Sequence, residues 1–159
     1  MEAEAALAQD LCARLCHDLV GPLGTVAGAI DLLAEDPEAA ELARDAAAVL
    51  RRRLKFWRAA CGAGTGPLSL QEVQALLEGM LAGGRATLQP ESLPESEVLG
   101  AAEAQLLLSG AMLAGEALPR GGVVRLRRGG GGSLVLQPEG RSAAWPPVLA
   151  ALLAAPEEE

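Results

Sequence analysis

Leu11-Cys-Ala-Arg-Leu-Cys-His-Asp-Leu-Val-Gly-Pro-Leu-Gly-Thr-Val-Ala-Gly-Ala-Ile-Asp-Leu-Leu33 repeats apolar residues at helical spacing, the pattern of one long amphipathic helix. On a wheel at roughly 100° per residue with His17 at zero, Leu11, Leu15, Leu19, Pro22, Leu23, Val26, Ile30 and Leu33 occupy the opposite arc. His17 is therefore predicted to point away from the core. Its own face carries Asp10, Arg14, Gly21, Gly24, Gly28 and Asp31, so three glycines line the surface C-terminal to the imidazole. Each glycine costs the helix about 1 kcal/mol relative to Ala, about 3 kcal/mol together. Either the helix frays there, or another protein approaches this backbone closely and needs the missing side chains.

Outward from this stretch, helical spacing runs over residues 3 to 34, the turn Glu35-Asp36-Pro37 follows, and a second helical run extends from Glu38 to about Ala60. This is a helical hairpin. A lone hairpin with a wide apolar arc on each helix cannot bury both arcs, which predicts a homodimer. Cys61-Gly-Ala-Gly-Thr-Gly-Pro67 favours neither helix nor strand and marks a boundary, giving a hairpin domain at 1–61, a linker at 62–67 and a second domain at 68–159.

The second domain mixes helix and strand. Leu68-Ser-Leu70 reads as short and extended, Gln71 to Leu81 as helix, and Arg85 to Leu88 as strand. Ser96 to Leu118 reads as one long apolar helix ending before Pro119. Val123-Val-Arg-Leu-Arg-Arg128 and Ser133-Leu-Val-Leu-Gln137 form a hairpin across Gly129 to Gly132. Those glycines resemble a phosphate cradle only superficially, because no helix N-terminus follows to supply a dipole. Trp145 to Ala155 is expected as a last short helix and Glu157 to Glu159 as a solvated tail. The predicted fold class is α+β.

Composition narrows the function. Of 159 residues, 32 are Ala and 29 are Leu, and Tyr is absent, so the core is built from aliphatics. A net charge of −8 argues against coating nucleic acid or anionic membrane by bulk electrostatics. Every charge-free stretch is shorter than a spanning helix needs. Three cysteines form no disulfide framework, and Glu2, Glu4 and Asp10 stand where a signal peptide is positive, so a reducing cytoplasm is expected. Lys55, the only lysine, follows no Gly-rich loop, which removes the P-loop. The chain has no Asn, and no Asp after Asp45, so the second domain cannot assemble an Asp-rich Mg²⁺ site or an Asn-dependent nucleotide site.

His17-Asp-Leu-Val-Gly-Pro22 resembles the phospho-accepting box of histidine-kinase dimerisation helices, in which an acid follows the histidine and a proline stands five positions after it. As a bare pattern it is weak. Inside a long amphipathic helix, with the histidine outward, a second helix next and an α/β region beyond, it is specific. The stretch Leu11 to Leu33 as a whole is similar to the alphaproteobacterial histidine phosphotransferases of the ChpT type. That resemblance implies a dimeric four-helix bundle followed by a small α/β sandwich like a degenerate histidine-kinase ATPase domain that no longer binds ATP. It also implies phosphoryl relay between receiver domains, one on a hybrid histidine kinase and others on response regulators. Against the family pattern the chain ends soon after Trp145, and part of the final sheet or helix is expected to be missing. Glu103, Gln105 and Ser109 are read as partly exposed positions of the long helix.

An imidazole with an ordinary pKa near 6.5 is largely neutral and nucleophilic at pH 7. No metal or cofactor on this chain is required, since a receiver brings an aspartyl phosphate and its own Mg²⁺. By resemblance, His17 and Asp18 are the catalytic residues, Asp18 accepting from Nδ1 and leaving Nε2 for attack. An ion pair between Asp18 and Arg53 is the structural alternative. Between Glu38 and Cys61, six basic residues face three acids. Arg44, Arg51, Lys55 and Arg58 share one face, and a turn centred on Asp36 sets Lys55 level with His17. Arg14, Gly21, Gly24, Gly28, Arg51, Lys55 and Arg58 are accordingly expected to dock the partner. The bland reading of the basic stripe is a solvated helix face. Arg53 falls on the apolar arc and has no role in this scheme.

Three rivals remain. Cys12-Ala-Arg-Leu-Cys16-His17 is one residue longer than a haem attachment signal and lies inside a continuous helix without a second histidine. A Cys–His metal site conflicts with Cys12 and Cys16 turning to the apolar side, where they are expected to pack as small hydrophobes. A dimeric adaptor that binds response regulators and is never phosphorylated is the serious competitor, and phosphate on His17 separates it from the relay.

Overall fold

The computed structural model describes residues 2–62, 65–91 and 93–154, with side chains from residue 5 onward and excluding 152 and 153. Ala63 and Gly64 of the expected linker, and the expected tail Glu157 to Glu159, lie outside the described residues. The chain divides into two compact units, 1–58 and 59–159.

In the first unit α1 spans Glu2–Leu32 and α2 spans Ala39–Cys61, the latter running three residues into the second unit. The turn between them is set by Asp36, whose Oδ1 accepts from the Glu38 amide at 2.9 Å while its own amide donates to the Leu32 carbonyl. α1 continues through Pro22 without a break. Ala29, Ala39 and Ala46 are buried, and Phe56 and Trp57 are buried in edge-to-face contact with centroids 5.7 Å apart. The wheel places the α1 apolar arc correctly, since Leu11, Leu15, Leu19, Pro22 and Val26 are partly covered. Leu23, Ile30 and Leu33 of the same arc are nonetheless about half exposed in the single chain.

The second unit opens on the last three residues of α2, and the Thr65 hydroxyl, shared between the carbonyls of Ala59 and Gly62, ties the chain after the helix back to its end. β1 (Leu68–Ser69) leads into α3 (Leu70–Leu81) through a capping box. The Glu72 amide donates to Ser69 Oγ at 3.2 Å and the Ser69 amide to Glu72 Oε2 at 2.7 Å. Leu70 is thus the first helical residue and is fully buried, where a strand residue was expected. β2 (Ala86–Glu91) continues beyond the expected Leu88 and accommodates Pro90 because it lies at a sheet edge.

The expected helix from Ser96 is corrected at its start. Val98–Leu99 form β3, paired antiparallel with β1, and α4 begins only at Ala101 behind the Gly100 cap. The Leu70 amide, donating to the Glu97 carbonyl at 2.8 Å, extends that pairing and holds the segment out of helix. α4 (Ala101–Glu116) then crosses to β4 (Gly122–Arg128), parallel to β2, and β5 (Leu134–Glu139) returns antiparallel, in the order β2-β4-β5. The connection of β4 to β5 is the expected glycine turn, with Gly131 at φ 70°. Only glycine fits at Gly122, where a Cβ would stand 2.2 Å from the Glu139 carbonyl oxygen.

α3 and α4 cover the sheet, and Ala86, Ala114, Leu118 and Val124 form a core cluster joined by Leu81, Leu88 and Leu136. Alternation along β4 buries Val124 and Leu126 and leaves Arg125 to pair with Glu91 and with Glu139 at 2.7 Å. α5 spans Pro147–Ala154.

Candidate functional site

The site is built on the middle turns of α1. His17 is the only histidine in the chain, and its side chain is 82% exposed, as the wheel requires. The next side chain, Asp18, is only 12% exposed. Its Oδ1 lies 3.4 Å from His17 Nδ1 and 3.7 Å from Arg14 Nε. Both distances are long for a hydrogen bond, so the carboxylate is near the ring without being locked to it. Its Oδ2 is buried with no hydrogen-bond partner. The ring nitrogen beside the carboxylate is Nδ1, and with the proton on Nδ1 the lone pair of the neutral ring is on Nε2.

The alternative for Asp18, an ion pair with Arg53, is not what forms. Arg53 Nη1 donates to the backbone carbonyl of Asp18, and the carboxylate pairs with Arg14. This contact sets Arg53 level with Asp18 and agrees with the hairpin register that brings Lys55 level with His17. It also accounts for a charged residue on the apolar arc of α2. Pro22 supplies the other half of the explanation, because it has no N–H to donate to the carbonyl four residues before it. The signal was present in the sequence as a proline four places after an acid and a misplaced arginine.

Gly21, Gly24 and Gly28 have open space where a side chain would stand, with nothing within 4 Å of a built Cβ at any of them. They form an unobstructed track beside the ring, and Thr25 turns its hydroxyl inward to the Gly21 carbonyl at 3.2 Å. Arg44, Arg51, Lys55 and Arg58 are all exposed, as expected for a shared outer face. Arg14, more than a third exposed, stands with Asp18.

The cysteines are corrected. Cys12 and Cys16 are exposed in the single chain and do not pack as small hydrophobes. On the wheel Cys12 shares the angle of Ile30 and Cys16 lies just past Leu23, so both stand on the side of the arc that is uncovered in the single chain. Among the described residues no group of three His, Cys, Asp or Glu side chains is arranged to hold a metal ion. No helix among them is long and apolar enough to cross a membrane. In the second unit Gln105 is half-buried and donates to the Gly62 carbonyl at 3.2 Å, a structural contact, while Glu103 is exposed.

Residues 70–159 match the family described as histidine phosphotransferase C-terminal domain. Over 158 residues the chain is 31% identical to protein phosphotransferase ChpT of Brucella abortus (strain 2308), covering 93% of this chain and 75% of that protein. It also resembles a solved structure of a bacterial phosphotransferase at TM-score 0.77 and 28% identity, over 98% of this chain and 78% of that one.

Proposed function

The chain belongs to the ChpT-type histidine phosphotransferase family and is a phosphorelay phosphotransferase, and from that premise we propose that His17 carries the phosphoryl group between aspartates of receiver domains. The observation that carries this reading is the contrast at adjacent positions, a ring 82% exposed beside a carboxylate 12% exposed and 3.4 Å from Nδ1. Nε2 attacks the phosphorus of a receiver aspartyl phosphate, the N–P bond forms as the P–O bond breaks, and the aspartate leaves as a carboxylate. Asp18 then faces the positive charge that develops on the ring. The reverse step loads the next receiver. Mg²⁺ belongs to the receiver's site, and this chain contributes position and charge.

In the same reading the partner's helix lies along Gly21, Gly24 and Gly28, with its acidic pocket toward Arg14, Arg51, Lys55 and Arg58. The donor receiver is part of a hybrid histidine kinase, the acceptors are response regulators, and the setting is the cytoplasm. Half-exposed Leu23, Ile30 and Leu33 are covered by the hairpin of a second copy, completing a homodimeric four-helix bundle. ATP is no donor, as the chain has no Asn and no Asp beyond Asp45.

The test incubates the full chain with a phosphorylated receiver and follows acid-labile label. The native chain acquires label and His17→Ala does not. Label on the alanine variant, or labelling of the native chain by ATP alone, rejects the reading.

A further inference from the structure

Resting on that reading of His17, we propose that Arg53 is a positioning residue for the transfer: its bond to the Asp18 carbonyl, which Pro22 leaves without a helical donor, fixes the residue whose carboxylate stands beside the His17 ring.

In an α-helix the amide of residue 22 would donate to the carbonyl of residue 18, and a proline removes that donor while its ring crowds the same oxygen. The carbonyl of a partly buried residue is left needing a donor from elsewhere. Arg53 Nη1 supplies it from the facing helix. A half-buried guanidinium on an otherwise apolar arc is uncommon, and the partner it finds there is this carbonyl.

The bond matters to the ring because the Asp18 side chain has no strong partner of its own. Its contacts to His17 and Arg14 are 3.4 and 3.7 Å long, and Oδ2 is buried without a hydrogen bond. Where the carboxylate stands is therefore set by where the backbone of residue 18 is held, and Arg53 is what holds it. The carboxylate in turn favours the proton on Nδ1 and so frees Nε2. Arg53 acts at two removes, through backbone and then carboxylate, without touching the reacting atoms.

A clamp that only joins α1 to α2 would leave the imidazole indifferent, so the test reads the ring as well as the rate. Because His17 is the only histidine, ¹⁵N-histidine labelling of the full chain reports a single imidazole. In the native protein the neutral ring is expected mainly in the Nδ1–H form, and Arg53→Met shifts it toward the Nε2–H form. In single-turnover transfer from a phosphorylated receiver, Arg53→Met slows the reaction by about tenfold, the scale of a small misplacement at a reacting centre.

Pro22→Ala restores the amide that the Asp18 carbonyl lacks, so in that background Arg53→Met costs only about twofold, a coupling read from the double-mutant cycle. Alanine also favours the helix, so the Pro22→Ala background serves if the single Arg53→Met variant does not fold. An unchanged tautomer in Arg53→Met, or an equal loss with and without Pro22→Ala, overturns the proposal. The two failures are separable: label on His17→Ala refutes the role of His17, whereas an inert His17→Ala beside an unimpaired Arg53→Met refutes only the role of Arg53.

Discussion

The imidazole of His17 and the carboxylate of Asp18 are sequence neighbours with opposite exposure, 82% against 12%, and their nearest polar atoms are 3.4 Å apart. A turn of about 100° between successive residues produces the contrast, putting one side chain outward and the other toward α2. In the proposed function, presentation of the nucleophile and control of its proton are thereby divided between two adjacent residues.

That division predicts the behaviour of Asp18→Ala. Without the carboxylate the ring loses its bias toward Nδ1–H and the counter-charge for the phosphorylated ring, and transfer slows by about tenfold to a hundredfold. Stopped-flow transfer from a phosphorylated receiver measures it. A rate equal to the native one removes Asp18 from the mechanism.

Gly24→Leu separates docking from folding. Nothing lies within 4 Å of a Cβ at this position, and replacing a mid-helix glycine favours the helix by up to about 1 kcal/mol. Thermal melting should hold or rise while transfer collapses, because the new side chain keeps a partner's aspartate out of reach of Nε2. Native transfer by the folded leucine variant means that the partner does not use the glycine track.

For Lys55→Glu the effect is expected on encounter. Lys55 is exposed, and a charge that steers association changes the on-rate and its salt dependence more than the dissociation rate. Binding kinetics at low and at high ionic strength should converge for native and variant chains as salt rises. A difference insensitive to salt identifies a direct contact instead.

The second unit carries a pH dependence in its first helix. Hydrogen bonds from the Ser69 amide and hydroxyl hold the Glu72 carboxyl below the ordinary carboxylate value. A group whose pKa is lowered by folding contributes stability above its unfolded pKa and loses it as the pH falls through the folded one. The protection factors of the amides in the first turn of α3, which are exchange rates divided into the intrinsic rate at each pH, should therefore be flat down to about pH 4.3, the ordinary value for Glu, and fall below it. Ser69→Ala, which removes the hydroxyl that caps this helix, should speed exchange at neutral pH too. Identical profiles for the two chains would contradict the capping box.

Periodicity made the hairpin and the placement of His17 legible, because a long run of repeated spacing averages out local exceptions. β1 and β3 were not legible, since two-residue strands have no period and Val98 and Leu99 look like the start of the helix they precede. The exposure of Cys12 and Cys16 was not legible because a wheel gives an angle, whereas cover on that side of the arc depends on what packs against it, and Leu23 and Ile30 beside them are equally open in the single chain. Arg53 was visible only as an exception. Its partner is a backbone atom, and side-chain patterns do not display which carbonyl a proline has left without a donor.

The most direct measurement is the ¹⁵N spectrum of the single imidazole, recorded while a phosphorylated receiver is added to the histidine-labelled chain. The account predicts that the His17 signals move to the pattern of a ring phosphorylated at Nε2 and return when an unphosphorylated receiver is supplied. Phosphoryl groups accumulating on the chain while the imidazole spectrum stays unchanged would contradict it.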